Sequence, residues 1–198
     1  MGGAGSGYHY HWDKKDVVED YKSLGINWLK REGYLRPGRQ SLISWTRNGQ
    51  PAGSINLAVR QDRLILSYTY THAGQSEEVR EMVFIDWTRC HYGGTRPWLL
   101  CPRCGRRVGK LYAGGKLFLC RHCYHLAYHT QQMSEPFRLL HKAQKIRKRL
   151  GASPDVLDEF IPKPKGMHRK TYDRLKHQAL ETGHRSATLA LSRFSSLA

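Results

Sequence analysis

The chain has 198 residues, with 33 Lys and Arg against 16 Asp and Glu, and a formal net charge of +17. This length suits one compact domain or two small ones, and no apolar run approaches the roughly 20 residues of a membrane-spanning helix. We therefore expect no membrane partner and no secretory signal peptide before the first charged residues. Four of the five cysteines have metal-binding spacing, which predicts reduced thiols and a cytoplasmic protein.

The basic excess lies in the second half of the chain. Residues 1–88 contain 11 basic and 10 acidic side chains, residues 89–132 contain eight basic and no acidic ones, and residues 133–198 contain 14 basic and 6 acidic ones. A positive field of this kind attracts polyanions, of which nucleic acid is the commonest. Charge alone leaves solubility, or binding to an acidic protein, as alternatives.

The near-neutral first half predicts a scaffold or a protein-binding surface. Residues 1–12 predict a flexible N-terminal arm that is rich in glycine and aromatic residues. Residues 13–89 predict a helix followed by an antiparallel meander of four strands, with Asn48 and Gly49 as a two-residue hairpin turn. Asp13 is the expected cap of the helix. Its predicted inner stripe, at helical spacing, is Val17, Tyr21 and Leu24.

Residues 90–132 contain the strongest motif, two Cys-x2-Cys pairs separated by 15 residues. This is the spacing of a structural zinc site, and four thiolates leave no open position for water, so we expect one Zn²⁺ that stabilises the fold. Residues 107–112 and 116–119 predict a hairpin between the pairs, with a turn at 113–115 that uses the positive φ angles of glycine. Disulfides, free thiols or a histidine in place of one ligand are the alternatives. The predicted ligands are Cys101, Cys104, Cys120 and Cys123.

A nuclease is a further alternative for this region. If residues 122–129 were helical, His122, His125 and His129 would share a face. Magnesium-dependent cleavage needs carboxylate or similar oxygen ligands near the metal. The sequence has no Asp or Glu between Asp86 and Glu135, which disfavours this hypothesis.

Residues 133–198 predict a basic helical tail. Ser134 to Pro136 is typical of a helix start, and Gly151 ends that helix. A short helix is expected over residues 153–160, and a third from Met167 onward, with Tyr172, Leu175 and Ala179 facing inward. Three helices with a basic third member are similar to a helix-turn-helix, whose third helix would enter the major groove.

Several stretches together resemble a known family. Residues 90–98, 101–108, 120–128 and 165–175, with the glycine-rich start, are similar to a family of small uncharacterised bacterial zinc-ribbon proteins. Members of that family often occur in phage, plasmid or integrated-element settings. The resemblance implies a bacterial, mobile-element context and the same four cysteine ligands, and it implies no particular activity.

The sequence thus predicts an α+β protein with an N-terminal helix, an antiparallel meander, a central zinc ribbon and a basic helical tail. The expected function is non-catalytic binding of nucleic acid, DNA in preference to RNA, with nucleoid association in the DNA case. The main alternative is an interaction or inhibitor protein that docks on a host nucleoprotein complex through the neutral meander. The predicted phosphate contacts are Arg103, Arg106, Arg107, Lys110, Lys116 and Arg121 on the ribbon, and Arg138, Lys142, Lys145, Arg149, Arg169 and Lys170 on the helices.

Overall fold

The computed structural model describes residues 14–195, and these fall into two compact units that meet between His129 and Thr130 in the sequence. The predicted α+β class is confirmed, since helices accompany antiparallel sheets. A short 3-10 turn covers Val18–Asp20, and the helices are α1 (Ile26–Arg31), α2 (His129–Gln132), α3 (Glu135–Arg149) and α4 (Arg169–Ser195). The strands are β1 (Ser23–Gly25), β2 (Gln40–Arg47), β3 (Gln50–Val59), β4 (Arg63–His72), β5 (Gln75–Arg89), β6 (Thr95–Leu100), β7 (Arg107–Val108) and β8 (Lys110–Tyr112).

Unit 1 is built on one antiparallel sheet with the strand order β2-β3-β4-β5-β6-β7. The four expected strands form in sequence order, and the ribbon region adds β6 and β7, so the sheet is a curled six-stranded half-barrel rather than a four-stranded meander. The turn at Asn48 and Gly49 is confirmed, because both residues have positive φ, 51° and 78°. A smaller sheet pairs β1 with β8.

One face of the main sheet is buried. Residues alternate along each strand, so that Leu64, Leu66 and Val83 lie in the core while their neighbours face outward. Helix α1 adds Ile26 and Leu29 to the same core. Cys101 and Cys120 are buried in this cluster too, so the thiols share one apolar core with the sheet.

The predicted N-terminal helix is wrong. Among the described residues that precede the sheet, only α1 is α-helical, whereas β1 runs through Leu24 and pairs with β8. Val17 forms a parallel bridge with Ala127, and Val18 packs in a cluster separate from that of Leu24. These apolar residues therefore pack at two different places instead of lying on one face of a helix. The expected cap, Asp13, lies outside the described residues.

The predicted hairpin between the cysteine pairs is also corrected. Its first strand is split at Gly109, with β7 joining the main sheet and β8 pairing with β1. Its second strand is reduced to one bridge between Tyr112 and Leu119. Gly114 is not among the glycines with positive φ. A Cβ at Gly114 would instead lie 2.9 Å from Cγ of Tyr124, so the residue is small because an aromatic ring covers it.

Unit 2 is an antiparallel pair of helices, α3 and α4. The predicted start and end of α3 are confirmed, since Ser134 is its N-cap and Gly151 follows it with φ of 78°. A hydrogen bond of 2.8 Å from Ser186 Oγ on α4 to the carbonyl of Pro136 joins α4 to the start of α3. The buried cluster of the pair consists of Ile146, Leu150, Tyr172, Leu175 and Ala179, which confirms the inward positions predicted for α4.

The short helix predicted over residues 153–160 is wrong, and so is the three-helix arrangement that depends on it. Residues 153–160 form bends and irregular backbone rather than a helix, and the carbonyl groups of Ser153 and Asp158 accept hydrogen bonds from the side chain of Arg147. The last helix continues without a break to Ser195. In the described part of unit 2 there are thus two long helices, and the expected three-helix arrangement is not formed. No helix of the described chain is long and apolar enough to span a membrane.

Candidate metal centre and basic cleft

The first cysteine pair lies on the turn between β6 and β7. The backbone N–H of Cys101 donates to the carbonyl of Arg106 at 3.0 Å, and the N–H of Gly105 donates to the carbonyl of Cys101 at 2.8 Å. Gly105 has φ of 68°, a conformation in which glycine is not strained. These hydrogen bonds turn the chain sharply and bring both thiols of the pair to one side.

The second cysteine pair uses a similar turn. The N–H of Cys123 donates to the carbonyl of Cys120 at 3.0 Å, and the N–H of Leu126 donates to the carbonyl of Arg121 at 2.8 Å. His125 has φ of 54°, which is uncommon for a residue other than glycine. The backbone therefore reverses directly after the second pair.

The two turns bring four sulfur atoms together. The ligand atoms of the four cysteines all lie within 4.8 Å of one another, with Cys101 Sγ 3.8 Å from Cys123 Sγ and Cys104 Sγ 3.7 Å from Cys120 Sγ. Both distances exceed the roughly 2.05 Å of a disulfide bond, and all four thiols are free. The cluster can therefore hold a metal ion.

Local hydrogen bonds favour the thiolate form of Cys101. Burial raises the pKa of the Cys101 thiol, but the backbone N–H groups of Cys120, Cys104 and Arg103 outweigh it and lower the pKa to about 7. One of these N–H groups, that of Cys120, lies 3.4 Å from the sulfur. Hydrogen bonds from N–H groups to a cysteine sulfur stabilise its negative charge, as a metal-binding thiolate requires.

A cleft of about 430 Å³ lies beside the second cysteine pair, between α1, β7 and β8. Its described lining residues include no Asp or Glu. The basic side chains of the lining come from different segments of the chain, and so do its aromatic side chains. The basic and imidazole side chains are Arg107, Lys110, Arg121 and His122, and the aromatic ones are Trp28, Trp98, Tyr112 and Tyr128.

The basic side chains around the cleft act on a histidine of the lining. The charge of Arg121, then slight desolvation, then the charge of Arg106 lower the pKa of the exposed His122. The guanidinium carbon of Arg121 also lies 5.1 Å from the ring centroid of Tyr128. Arg107 forms an ion pair with Asp86, which partly offsets its charge.

The structure brings together some predicted phosphate contacts of the ribbon and separates others. Arg107, Lys110 and Arg121 line the cleft, whereas Lys116 lies elsewhere and pairs with Glu77 at 2.8 Å. The remaining two predicted contacts are Arg103 and Arg106. Both lie on the first cysteine turn, where they are exposed but do not line the cleft.

In unit 2 the predicted basic stripe lies on the exposed side of α3. Its members recur at intervals of four, three and four residues, which places them on one face. At the start of α4, Arg169 and Lys170 are exposed as well, and Arg169 lies 3.8 Å from Asp173. The exposed members of the α3 stripe are Arg138, Lys142, Lys145 and Arg149.

The helical histidine face is not formed. Residues 122–128 are turns and isolated bridges, so His122 and His125 do not follow a helical repeat with His129. None of the three belongs to the thiol cluster. The arrangement that motivated the nuclease hypothesis is therefore missing from the described residues.

Sequence reasoning missed the aromatic lining of the cleft. No role was assigned to Trp28 or Tyr128 from the sequence. Their convergence depends on the pairing of β1 with β8 and on the bridge between Val17 and Ala127, which join distant parts of the chain. No local spacing signals such contacts.

Comparison of the chain with protein-family models, with curated proteins and with solved structures found no match.

Proposed function

We propose that the four thiolates hold one structural Zn²⁺. Four cysteine sulfurs in a closed cluster suit zinc, since soft thiolate ligands and tetrahedral geometry are typical of structural zinc sites. Two of the cysteines, Cys101 and Cys120, are buried in the core of unit 1. The metal would join two turns that carry the walls of the basic cleft, and its role would be to hold that surface in shape.

On this scaffold, the function best supported by the geometry is non-catalytic binding of nucleic acid. The observation that carries the proposal is the convergence of Arg107, Lys110 and Arg121 on one cleft without a lining carboxylate. Phosphate groups bind such sites because each contact releases condensed counterions. The same cleft carries aromatic rings, a combination typical of proteins that contact both phosphates and bases.

The basic stripe of unit 2 supports the same function. From Arg138 to Arg149 the stripe extends about 16 Å at 1.5 Å per residue, a length that spans several phosphates of a nucleic-acid strand. Its charges have few nearby acids on α3, where Glu135 in the first turn pairs with Arg185. We expect these side chains to contribute contacts that depend on salt and not on sequence.

The test is binding of labelled DNA and RNA to the zinc-loaded full chain across a salt series, measured by fluorescence anisotropy. The double variant Lys110→Ala/Arg121→Ala should bind more weakly, and its log K against log salt slope should fall by about 1 to 2, since each lost duplex contact removes about 0.9. The matched control, Arg60→Ala/Arg80→Ala, removes the same charge from the sheet surface outside the cleft and should bind like the wild type. Equal loss in both variants would show that only net charge matters.

A second candidate function is docking on a protein partner, and one observation favours it. Leu42, Met82 and Phe84 are 62%, 53% and 43% exposed on strands of the main sheet. Arg63 lies over the ring of Phe84, at 4.7 Å, and near the sulfur of Met82, at 3.8 Å. Large exposed apolar side chains of this kind occur at protein interfaces.

One experiment distinguishes the two candidate functions. Leu42→Glu/Met82→Glu should abolish a protein complex that survives nuclease treatment, if docking is the function, and should leave binding to labelled oligonucleotides unchanged. A complex that dissociates on nuclease treatment would favour direct nucleic-acid binding instead.

A further inference from the structure

We propose that the cleft selects single-stranded nucleic acid by stacking unpaired bases on its aromatic rings, with Trp28 as the main platform. This inference rests on the proposed function and adds to it the form of the ligand. The lining of the cleft contains four aromatic side chains beside its basic ones. Phosphate binding alone would not require them.

Trp28 is a large apolar side chain held at the surface. It is 38% exposed, although its neighbours on α1, Ile26 and Leu29, are fully buried. Its ring centroid lies 5.2 Å from that of Tyr34, and the guanidinium carbon of Arg39 lies 4.9 Å from Tyr34 on the same stack. The indole is therefore supported before any ligand arrives, which lowers the entropy cost of binding.

Tyr128 is a second exposed ring, at 40% exposure, and its backbone position is fixed. The preceding residue, Ala127, donates its N–H to the carbonyl of Asp16 at 2.8 Å and accepts the N–H of Val18 at 2.9 Å. Arg121 lies over the tyrosine ring. A cation beside an aromatic ring places a phosphate contact next to a stacking surface.

The remaining aromatic side chains of the lining are Tyr112 and Trp98, whose apolar rings each carry one polar group at the edge. Burial, and then the neighbouring Tyr128, raise the pKa of Tyr112, so its hydroxyl stays neutral over the physiological range. Trp98 donates its indole N–H to Thr88 Oγ1 at 2.9 Å, and Arg96 lies 4.1 Å from its ring centroid. These rings are held in place by their own contacts.

A double helix cannot use this lining. In a duplex the bases are stacked on one another inside the helix, and only phosphates, sugars and groove edges are accessible. Ring faces inside a recess contact a base only when that base is unstacked, as in single strands, loops and ends. The basic side chains of the lining serve both forms, so the rings supply the selectivity.

Three labelled probes test the inference: a single-stranded oligonucleotide, the same sequence as a duplex, and a single strand of abasic nucleotides that keeps only the phosphates. The wild type should bind the single strand most tightly. Trp28→Ala should weaken that binding about 5- to 150-fold, as expected for loss of one stacked base, and should leave duplex and abasic binding unchanged. Trp28→Phe should restore most of the affinity because phenylalanine keeps a stacking face.

The matched control is Trp87→Ala, which removes another exposed indole that does not line the cleft. It should bind all three probes like the wild type, and circular dichroism with zinc content confirms that each variant is folded. Equal affinity of the wild type for duplex and single strand, with no effect of Trp28→Ala, would overturn the inference and leave the proposed function standing. Failure of the wild type to bind any probe would overturn both.

Discussion

The carboxyl group of Glu81 accepts the backbone N–H of Phe118 at 3.0 Å, which ties the main sheet to the segment between the two cysteine pairs. Glu81 is 7% exposed and lies opposite Leu66 on the buried face. The hydroxyl of Tyr68 is 2.9 Å from the same carboxyl oxygen and 2.7 Å from the carbonyl of Lys116. A hydroxyl has one proton to donate, so Tyr68 can donate to Lys116 and accept from Glu81 only when Glu81 is protonated.

This buried carboxyl gives a pH-dependent stability. Burial raises the pKa of Glu81, against the opposing hydrogen bonds from Phe118 and Tyr68. The folded protein therefore holds this proton more tightly than the unfolded chain. The stability that protonated Glu81 contributes is fully present below the pKa of the carboxyl group in the unfolded chain, about 4.3. It is lost as the pH rises through the raised pKa of Glu81 in the folded protein. We expect Glu81→Gln, which cannot ionise, to lose this dependence and to be at least as stable at neutral pH.

Urea unfolding of the zinc-loaded wild type and Glu81→Gln, from about pH 5 to about pH 8, measures the difference. Glu81→Ala is the matched control for the hydrogen bond. It leaves the N–H of Phe118 without its acceptor and should cost about 1 to 3 kcal/mol across the whole range. A wild-type pH profile retained by Glu81→Gln would show that this carboxyl is not the titrating group.

Removal of the proposed zinc ion should unfold the two cysteine turns and expose their thiols. The fifth cysteine, Cys90, is exposed and lies outside the cluster. A thiol reagent should therefore modify one cysteine quickly in the zinc-loaded protein and all five after chelation. Thiolates must be deprotonated to bind the metal, so acidification should release zinc as well.

Cys90→Ala is the control, and it should remove the fast reaction while leaving the zinc content at one ion per chain. Rapid modification of all five thiols in protein purified with zinc would contradict the metal site. Zinc retained on acidification to about pH 4 would also be inconsistent with thiolate ligands.

The parts of the fold that could be predicted from the sequence are those set by local spacing. Two residues between the cysteines of each pair were enough to predict the thiol cluster, because a short turn places both sulfurs on one side. The turn at Asn48 and Gly49, and the limits of α3 at Ser134 and Gly151, follow from backbone preferences of single residues. Each of these signals operates within a few positions of the chain.

The parts that failed depend on contacts between distant residues. The stretch around Leu24 has helical spacing, yet it forms β1 because the backbone of β8 offers hydrogen bonds to it. The glycine at position 114 was assigned to a turn that needs positive φ, whereas the contact with Tyr124 explains it. The aromatic wall of the cleft has the same origin, since α1 and the segment after the second cysteine pair are about 100 residues apart in sequence.

The contact between Gly114 and Tyr124 predicts a substitution that the sequence alone would treat as mild. Gly114→Ala places a methyl group 2.9 Å from Cγ of Tyr124, a distance that forces the ring or the backbone to move. We expect a loss of about 1 to 3 kcal/mol in the free energy of unfolding, the usual cost of overpacking. The control is Gly109→Ala, where an added Cβ meets nothing within 4 Å. Chemical denaturation of both variants measures the difference, and equal stabilities would show that Tyr124 moves freely.

The last prediction concerns a buried cation in unit 2. Arg147 is 1% exposed and donates to the carbonyls of Ser153 and Asp158, both at 2.7 Å, while its guanidinium carbon lies 4.3 Å from the ring of Phe160. These contacts fix residues 153–160 as an ordered loop without helical hydrogen bonds. The positions of the two carbonyls match the planar fork of an arginine, which a lysine ammonium cannot reproduce.

Arg147→Met keeps most of the apolar stem but leaves the carbonyls of Ser153 and Asp158 without their donor, so we expect a loss on the order of 3 kcal/mol. Arg147→Lys should restore little of it, because one ammonium cannot bind both carbonyls as the guanidinium does. Arg149→Ala, which removes an exposed charge from the same helix, should change stability by less than about 0.5 kcal/mol. Hydrogen exchange by mass spectrometry in the full chain should show faster exchange at residues 147–160 in both Arg147 variants. Wild-type exchange in Arg147→Met would mean that the loop is held by Phe160 and its apolar contacts instead.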